Sequence, residues 1–243
     1  RRVAEMHVAL ASGDMPAFSP EPATSQDLSL WMDDIVARAD RVMSYLTNAR
    51  GDTDKIDGTL VDQLLSQRSG LRERLRHLAQ DAEVLKIRHH GDFHLGQMLI
   101  VKDDVYIIDF EGEPRRPLAE RRRKAPAARD VAGLIRSIDY STTSALERAR
   151  TIGTDEQGKI SAALDSWRDR STAAFLAAYH EAMSDERLWP ASTAAATRLL
   201  DFFLLEKAFY EIEYEIAHRP EWIRVPLAGV LRILSRHTAE TAS

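Results

Sequence analysis

The sequence predicts a mainly α fold interrupted by one short β-hairpin. Apolar residues recur at helical spacing over most of the 243 residues. Two short apolar runs, Met98–Val101 and Val105–Ile108, flank the turn residues Lys102-Asp103-Asp104, which is a hairpin signature. Prolines and glycines gather in the segments between the periodic stretches.

Residues 1–12 read as a helix, and 13–25 as a loop holding three prolines, Pro16, Pro20 and Pro22. Ser25 is placed to cap the next helix, marked by Leu28, Trp31, Ile35, Ala39, Val42 and Leu46. A polar break over 51–58 precedes a second long helix through Leu60, Leu64, Leu65, Leu71, Leu75 and Leu78. The character changes at Ile87, where the hairpin region begins. A Pro- and Arg-rich loop over 111–127 follows. Helical spacing resumes at Val131, Leu134, Ile135 and Ile138, and three further helices are expected near 156–184, 192–218 and 222–238. There are no internal repeats.

Composition excludes several classes. Hydrophobic residues make up 44% of the chain, enough for a substantial core, and the net charge of −5 gives no general attraction to nucleic acid or anionic lipid. No cysteine is present, which excludes disulfides, thiolate catalysis and Cys-type zinc sites and fits a reducing, cytoplasmic compartment. No apolar run approaches the roughly 20 residues that span a bilayer. Neither a nucleic-acid nor a membrane partner is therefore expected. The first residues, Arg1 to His7, lack an initiator Met and read as the middle of a helix, so a piece of a longer chain is expected.

The polar residues around the hairpin carry the chemistry. His89, His90, Asp92 and His94 crowd the approach to the first strand, Gln97 opens it, and Asp109 ends the second. A hairpin brings Gln97 and Asp109 towards one end of the sheet with Asp92 nearby. Carboxylates and an amide oxygen suit Mg²⁺, which also binds phosphate oxygens. In the kinase pattern a loop Asp orients the acceptor hydroxyl, an Asn five residues later and an Asp beyond the hairpin hold metal. Asp92, Gln97 and Asp109 match that order and spacing. The bland alternative is an Asp-capped turn with a buried ion pair beside a structural His. His90 and His94 are assigned to bracing the loop, and His89 to the surface. Asp130, opening the next helix, is read as an N-cap and loop brace. The basic run Arg115 to Lys124 has no interleaved aromatics, so a solvated loop is favoured over a nucleic-acid patch, with attraction of phosphate a third reading.

The stretches HHGDFHLGQMLI (89–100), YIIDFEGEPRRPLAERRRKAPAARDVAGLIRSIDY (106–140) and LLEKAFYEIEYEIAHRPEWIRVPLAGVLRIL (204–234) resemble the bacterial maltokinases. These belong to the aminoglycoside-phosphotransferase-like branch of the protein-kinase superfamily and occur also fused to trehalose synthase. The resemblance implies a kinase-like C-terminal lobe that transfers phosphate from ATP, with Mg²⁺, to the anomeric hydroxyl of maltose, feeding glycogen synthesis. Asp92 would be the catalytic base, and Gln97 and Asp109 the metal ligands. Gln97 stands where kinases generally have Asn, and Glu111-Gly112 replaces the single Gly after Asp-Phe.

The sugar would be read by the helix carrying Glu206, Lys207, Tyr210, Glu213 and Tyr214, with Trp222 and Arg224 beyond it. From spacing alone, a solvated helix with i,i+4 ion pairs is the competing reading. The expected organisation is a helical subdomain over 1–85, the loop, hairpin and following loop over 86–127, and a sugar-binding part over 128–243. No Gly-rich lid or strand Lys precedes Asp92. Both are expected in an N-terminal ATP-binding lobe, without which these residues would be inactive. Two other readings stand beside this one. One is a kinase of the same branch with an aminoglycoside or choline-like acceptor, against which Lys207 argues for a neutral sugar. The other is a kinase-like module that binds a partner or regulates trehalose synthase.

Overall fold

The computed structural model describes residues 1–49, 57–79, 84–152, 156–183 and 187–240. The polar break expected over 51–58 lies outside them except at Asp57 and Gly58. The described residues are mainly α with two small antiparallel sheets. They form two compact units, each built from two stretches of chain.

The first unit comprises Arg1–Ala23 and Glu83–Ser192. Helix α1 (Arg2–Leu10) buries Val3, Ala4, Met6 and His7 on one stripe. Strand β1 (Glu21–Pro22) pairs with β2 (Leu85–Lys86). Neither strand was legible in the sequence, since two residues carry no periodicity. Lys124 fastens this corner: its Nζ donates to the carbonyls of Pro16 and Ser19 at 2.7 Å. The end of the basic run is thus built in rather than solvated.

Strands β3 (Met98–Val101) and β4 (Asp104–Ile107) form the expected hairpin, with Lys102 in the left-handed region at φ 57°. Its apolar side chains point outward, and Ile100 is 81% exposed. Arg2 grips Asp104 through Nε and Nη2 at 2.7 and 2.6 Å, tying α1 to the hairpin turn. The loop over 111–127 contains a short helix, α5 (Leu118–Arg121), and a bridge between Ala125 and Ile87. Helices α6 (Ala128–Ile152) and α7 (Gln157–Ala182) pack together.

The second unit comprises Thr24–Ala82 and Thr193–Ser243. Helix α2 (Ser25–Asn48) is capped by Thr24, not Ser25. Thr24 Oγ1 accepts from Asp27 N–H at 3.1 Å, and the Asp27 carboxylate accepts from Thr24 N–H at 2.8 Å. This reciprocal box satisfies two donors that a Ser25 cap would leave open. The single helix expected over 60–78 is two, α3 (Gly58–Ser66) and α4 (Leu71–Leu78), separated by a 3-10 turn over Arg68–Gly70. Ser and Gly are poor helix formers, and the turn at Ser69-Gly70 lets Leu64 and Leu75 both reach the core. Helix α8 (Thr193–His218) is central, packed by α2, α4 and α9 (Arg224–Glu240). Phe202, Phe203, Leu205, Phe209 and Ile212 are all buried on it. Among the described residues no helix is long and apolar enough to cross a membrane.

Candidate active site

The His89–Gln97 loop enters the first unit directly after the Ile87 bridge, and close backbone approaches set its course. Gly91 has φ 87°, and a Cβ there would stand 3.3 Å from Gly112 Cα, itself at φ 75°. Two glycines thus let the loop and the segment after β4 touch. A Cβ on Gly133 would lie 2.5 Å from the Phe93 carbonyl oxygen, so α6 can run against the loop only with glycine there. Asp92, half-buried, lies between these two close approaches in the chain, directly after Gly91 and before Phe93.

Side chains then lock the backbone. His90 is 1% exposed, and its Nε2 lies 2.8 Å from the Ile108 carbonyl oxygen. With Nε2–H donating there, Nδ1 is free to accept from Asp92 N–H at 3.4 Å. The ring sits against Phe93 and Phe110, centroids 5.1 and 5.0 Å away. His90 therefore couples the loop to the residues flanking Asp109. His94 Nδ1 accepts from Gly96 N–H at 3.0 Å, and Ser137 Oγ accepts from Leu95 N–H at 3.0 Å.

Asp130 lies in the first turn of α6, two residues inside it, and is not its N-cap. Its carboxylate accepts from His90 N–H at 2.7 Å and Gly91 N–H at 3.0 Å. A third contact, 3.1 Å, comes from His7 Nε2. Burial alone would raise this carboxyl, but the His7 hydrogen bond, the nearby His89 and His7 rings and the Gly91 N–H hold it below the usual range. His89 is buried at 6% exposure, contrary to the surface position expected for it. Burial pushes its ring down to about 4, against a partial offset from Asp130, so it is neutral near pH 7.

Gln97 and Asp109 meet as the spacing suggested. Gln97 Nε2 lies 2.9 Å from Asp109 Oδ2, and Gln97 accepts Ile108 N–H on its carbonyl at 3.0 Å. Gln97 closes a 3-10 turn over Leu95–Gln97 rather than opening β3, and Asp109 stands two residues past β4 at φ 65°. A non-glycine residue in that region is uncommon, although Asp tolerates it best, and such strain gathers at functional sites. Asp109 is exposed, and its side chain shares one edge of the hairpin with an amide.

The α8 candidates belong to the second unit. Lys207 Nζ lies over the Tyr210 ring at 5.1 Å, and the Arg38 guanidinium over the same ring at 5.2 Å. Glu213 accepts from Arg38 and from Arg41, the latter at 2.8 Å. Tyr214 stacks on His218 at 4.7 Å. The Arg219 guanidinium covers Tyr214 at 5.3 Å and Trp222 at 5.7 Å. Glu206 and Lys207 are half-buried. Arg224 Nε is 3.9 Å from the Asp57 carboxylate.

Sequence reasoning missed His7, Tyr179, Ser137 and Gly133. His7 carried a faint signal, since it shares the buried stripe of α1 with Val3 and Ala4, where an imidazole needs a polar partner. Tyr179, 172 residues away, supplies one, its hydroxyl 2.8 Å from His7 Nδ1.

No protein-family model matches the chain. It is 27% identical to the glucosamine kinase of Streptacidiphilus jiangxiensis over 223 residues, which is 92% of this chain and 45% of that protein. It is 25% identical to the glucosamine kinase of Mycolicibacterium smegmatis (strain ATCC 700084 / mc(2)155) over 240 residues, 98% of this chain and 53% of that one. A solved glucosamine kinase in complex with glucosamine, ADP and inorganic phosphate superposes with a TM-score of 0.75 at 25% identity, covering 99% of this chain and 54% of its own. Crystal form B of glucosamine kinase gives 0.71 at 26% identity, covering 96% and 51%. The chain thus spans about half the length of the curated relatives it matches.

These relatives correct the maltokinase resemblance. Nearly the whole chain aligns with kinases of an amino sugar, and neither maltose nor a trehalose synthase fusion has support among them. The shared motifs belong to the wider phosphotransferase pattern, so they could not separate one acceptor from another. The argument from Lys207 to a neutral sugar falls with it, because that ammonium already faces the Tyr210 ring.

Proposed function

We propose that this chain provides the acceptor and metal half of an ATP-dependent sugar kinase, with a fold of the kinase C-lobe kind and an amino sugar of the glucosamine class as acceptor. The observation that carries this reading is the meeting of Gln97 with Asp109 at the base of the hairpin, together with a loop whose two residues before Asp92 are held by a buried carboxylate. The solved relative that binds glucosamine, ADP and phosphate supports the class of acceptor.

In this reading Asp92 accepts the proton of the attacking sugar hydroxyl and orients its oxygen. Its half-buried position and backbone-fixed loop favour orientation, the dominant requirement of phosphoryl transfer. Gln97 and Asp109 fit Mg²⁺: one carboxylate and one amide oxygen leave room for phosphate oxygens and water, as this ion prefers. Among the described residues no cluster of three or more His, Cys, Asp and Glu offers a competing, all-protein metal cage. Bound there, the ion would neutralise charge on the transferred phosphoryl group. The proposal assigns no nucleotide-cradling loop to these residues.

The α8 side chains remain proposed sugar contacts, with Glu206 and Glu213 the groups suited to an ammonium. The test is ATP- and Mg²⁺-dependent phosphorylation by the intact protein across hexoses, hexosamines and aminoglycosides. Turnover on glucosamine at least about tenfold above the others in kcat/KM, roughly 1.4 kcal/mol of discrimination, is expected. Activity confined to an aminoglycoside, or none with any acceptor, would refute the reading.

A further inference from the structure

We infer that His7 and Tyr179 are positioning residues for the catalytic loop, acting through Asp130. The inference rests on the proposed kinase function for its consequence, though not for its geometry. Tyr179 and His7 are both 0% exposed and Asp130 is 2% exposed, so no water competes for their polar atoms. Tyr179 Oη lies 2.8 Å from His7 Nδ1, and His7 Nε2 lies 3.1 Å from Asp130 Oδ2. Asp130 in turn accepts from the N–H groups of His90 and Gly91, the two residues before Asp92.

With a neutral His7 the line of hydrogen bonds has one polarity. An ionised Asp130 can only accept, so His7 must donate through Nε2–H. A neutral His7 then has only Nδ1 left as an acceptor, and the Tyr179 hydroxyl must donate to it. Burial and the Asp130 charge hold that hydroxyl well above its usual range, so it keeps its proton. Asp130 therefore fixes the imidazole tautomer, and Tyr179 satisfies the remaining ring nitrogen and holds the ring in line with the carboxylate. Without that hydroxyl the buried Nδ1 is left unsatisfied, and the ring loses the contact that holds it in line with the carboxylate. The His90-Gly91 peptide then loses its fixed anchor, and Asp92 loses its aim. Three elements distant in sequence, α1, α6 and α7, converge on this line, while the ring contacts of Tyr179 with Trp189 and Phe175 supply packing that a phenylalanine would keep. The His89 ring also acts on the carboxylate, and Arg129 and Arg88 act in turn on that ring.

The experiment compares Tyr179→Phe, His7→Met and His7→Gln in the intact protein. It reads kcat, sugar KM and amide hydrogen exchange at His90 and Gly91. Gln retains a donor where His7 Nε2 stands, whereas Met keeps bulk without one. Tyr179→Phe should lower kcat about tenfold and His7→Met about 100-fold, with KM within about twofold, since displacement of a reacting group costs on this scale. Exchange at His90 and Gly91 should accelerate in both, and His7→Gln should recover most of each loss. Wild-type kcat and exchange in Tyr179→Phe, or His7→Gln no better than His7→Met, overturns the inference. If the wild type phosphorylates no sugar, the kinase reading fails, and exchange alone decides the positioning role. If His7→Met does not fold, Tyr179→Phe carries the decision.

Discussion

The loop before β3 and helix α8 both presented dense polar residues at suggestive spacing, yet the structure treats them differently. Around the loop, side chains are spent on backbone: His90 on Ile108, Asp130 of α6 on His90 and Gly91, His94 on Gly96. Asp92, Gln97 and Asp109 are what that scaffold presents. On α8 Glu213 and Tyr210 meet side chains of α2 and of the helix itself. Glu213 takes two arginines, and Tyr210 lies between Arg38 and Lys207. A polar cluster held by backbone contacts is shaped for presentation, whereas one held by side-chain pairs can be serving stability alone. The loop is therefore the firmer half of the functional reading.

Replacing the anchor should break this contrast most severely. Asp130→Ala strands one buried and one part-buried N–H group and a buried imidazole. A loss of about 3–5 kcal/mol is expected in urea unfolding. A loss below about 1 kcal/mol would show that the loop holds its shape unaided.

Acid should expose the same region. The folded His89 ring titrates near 4, below the ordinary 6.5, so the unfolded chain takes up the proton first. This contribution to stability is complete above pH 6.5 and is lost as pH falls towards 4, by about 3 kcal/mol. Asp130, also depressed, adds its own loss below its ordinary range near 3.8. Denaturation midpoints from pH 7 to 4 should fall in the wild type and fall less in His89→Phe. Parallel curves would remove His89 as the cause.

Gly133→Ala should cost about 1–3 kcal/mol, because the new methyl meets the Phe93 carbonyl at 2.5 Å and α6 must withdraw from the loop. Thermal unfolding checks this, and an unchanged midpoint would mean that the approach relaxes freely. Smallest is Glu213→Gln, under about 1 kcal/mol, since this pair is partly exposed to solvent. Its sugar KM sharpens the comparison: a rise of about fivefold or more makes α8 a reader of substrate, and none leaves it a brace.

The sequence carried much of this and stopped where physics became non-local. Helical spacing located α2 and α6, a dense apolar stretch located α8, and two short apolar runs located the hairpin. The α3–α4 break was invisible because Leu spacing continues across Ser69-Gly70. The β1–β2 pair was invisible because two-residue strands have no pattern. Within the candidate site, the meeting of Gln97 with Asp109 was legible from order and spacing, since a hairpin fixes the distance between its ends. The Asp130–His7–Tyr179 line was not, because its members lie 123 and 172 residues apart and meet only through packing of α1, α6 and α7. His89 looked exposed because local sequence does not report what covers a loop. The choice of acceptor was misread because the motif encodes phosphoryl transfer and not the sugar.

The most direct test is the rate of phosphoryl transfer by Asp92→Asn in the intact protein, with sugar affinity measured alongside. Loss of the base positioned on the reacting hydroxyl should lower kcat by roughly 100- to 10,000-fold while leaving glucosamine affinity within about threefold. Turnover within about threefold of wild type would contradict the assignment of this loop as the phosphotransfer centre.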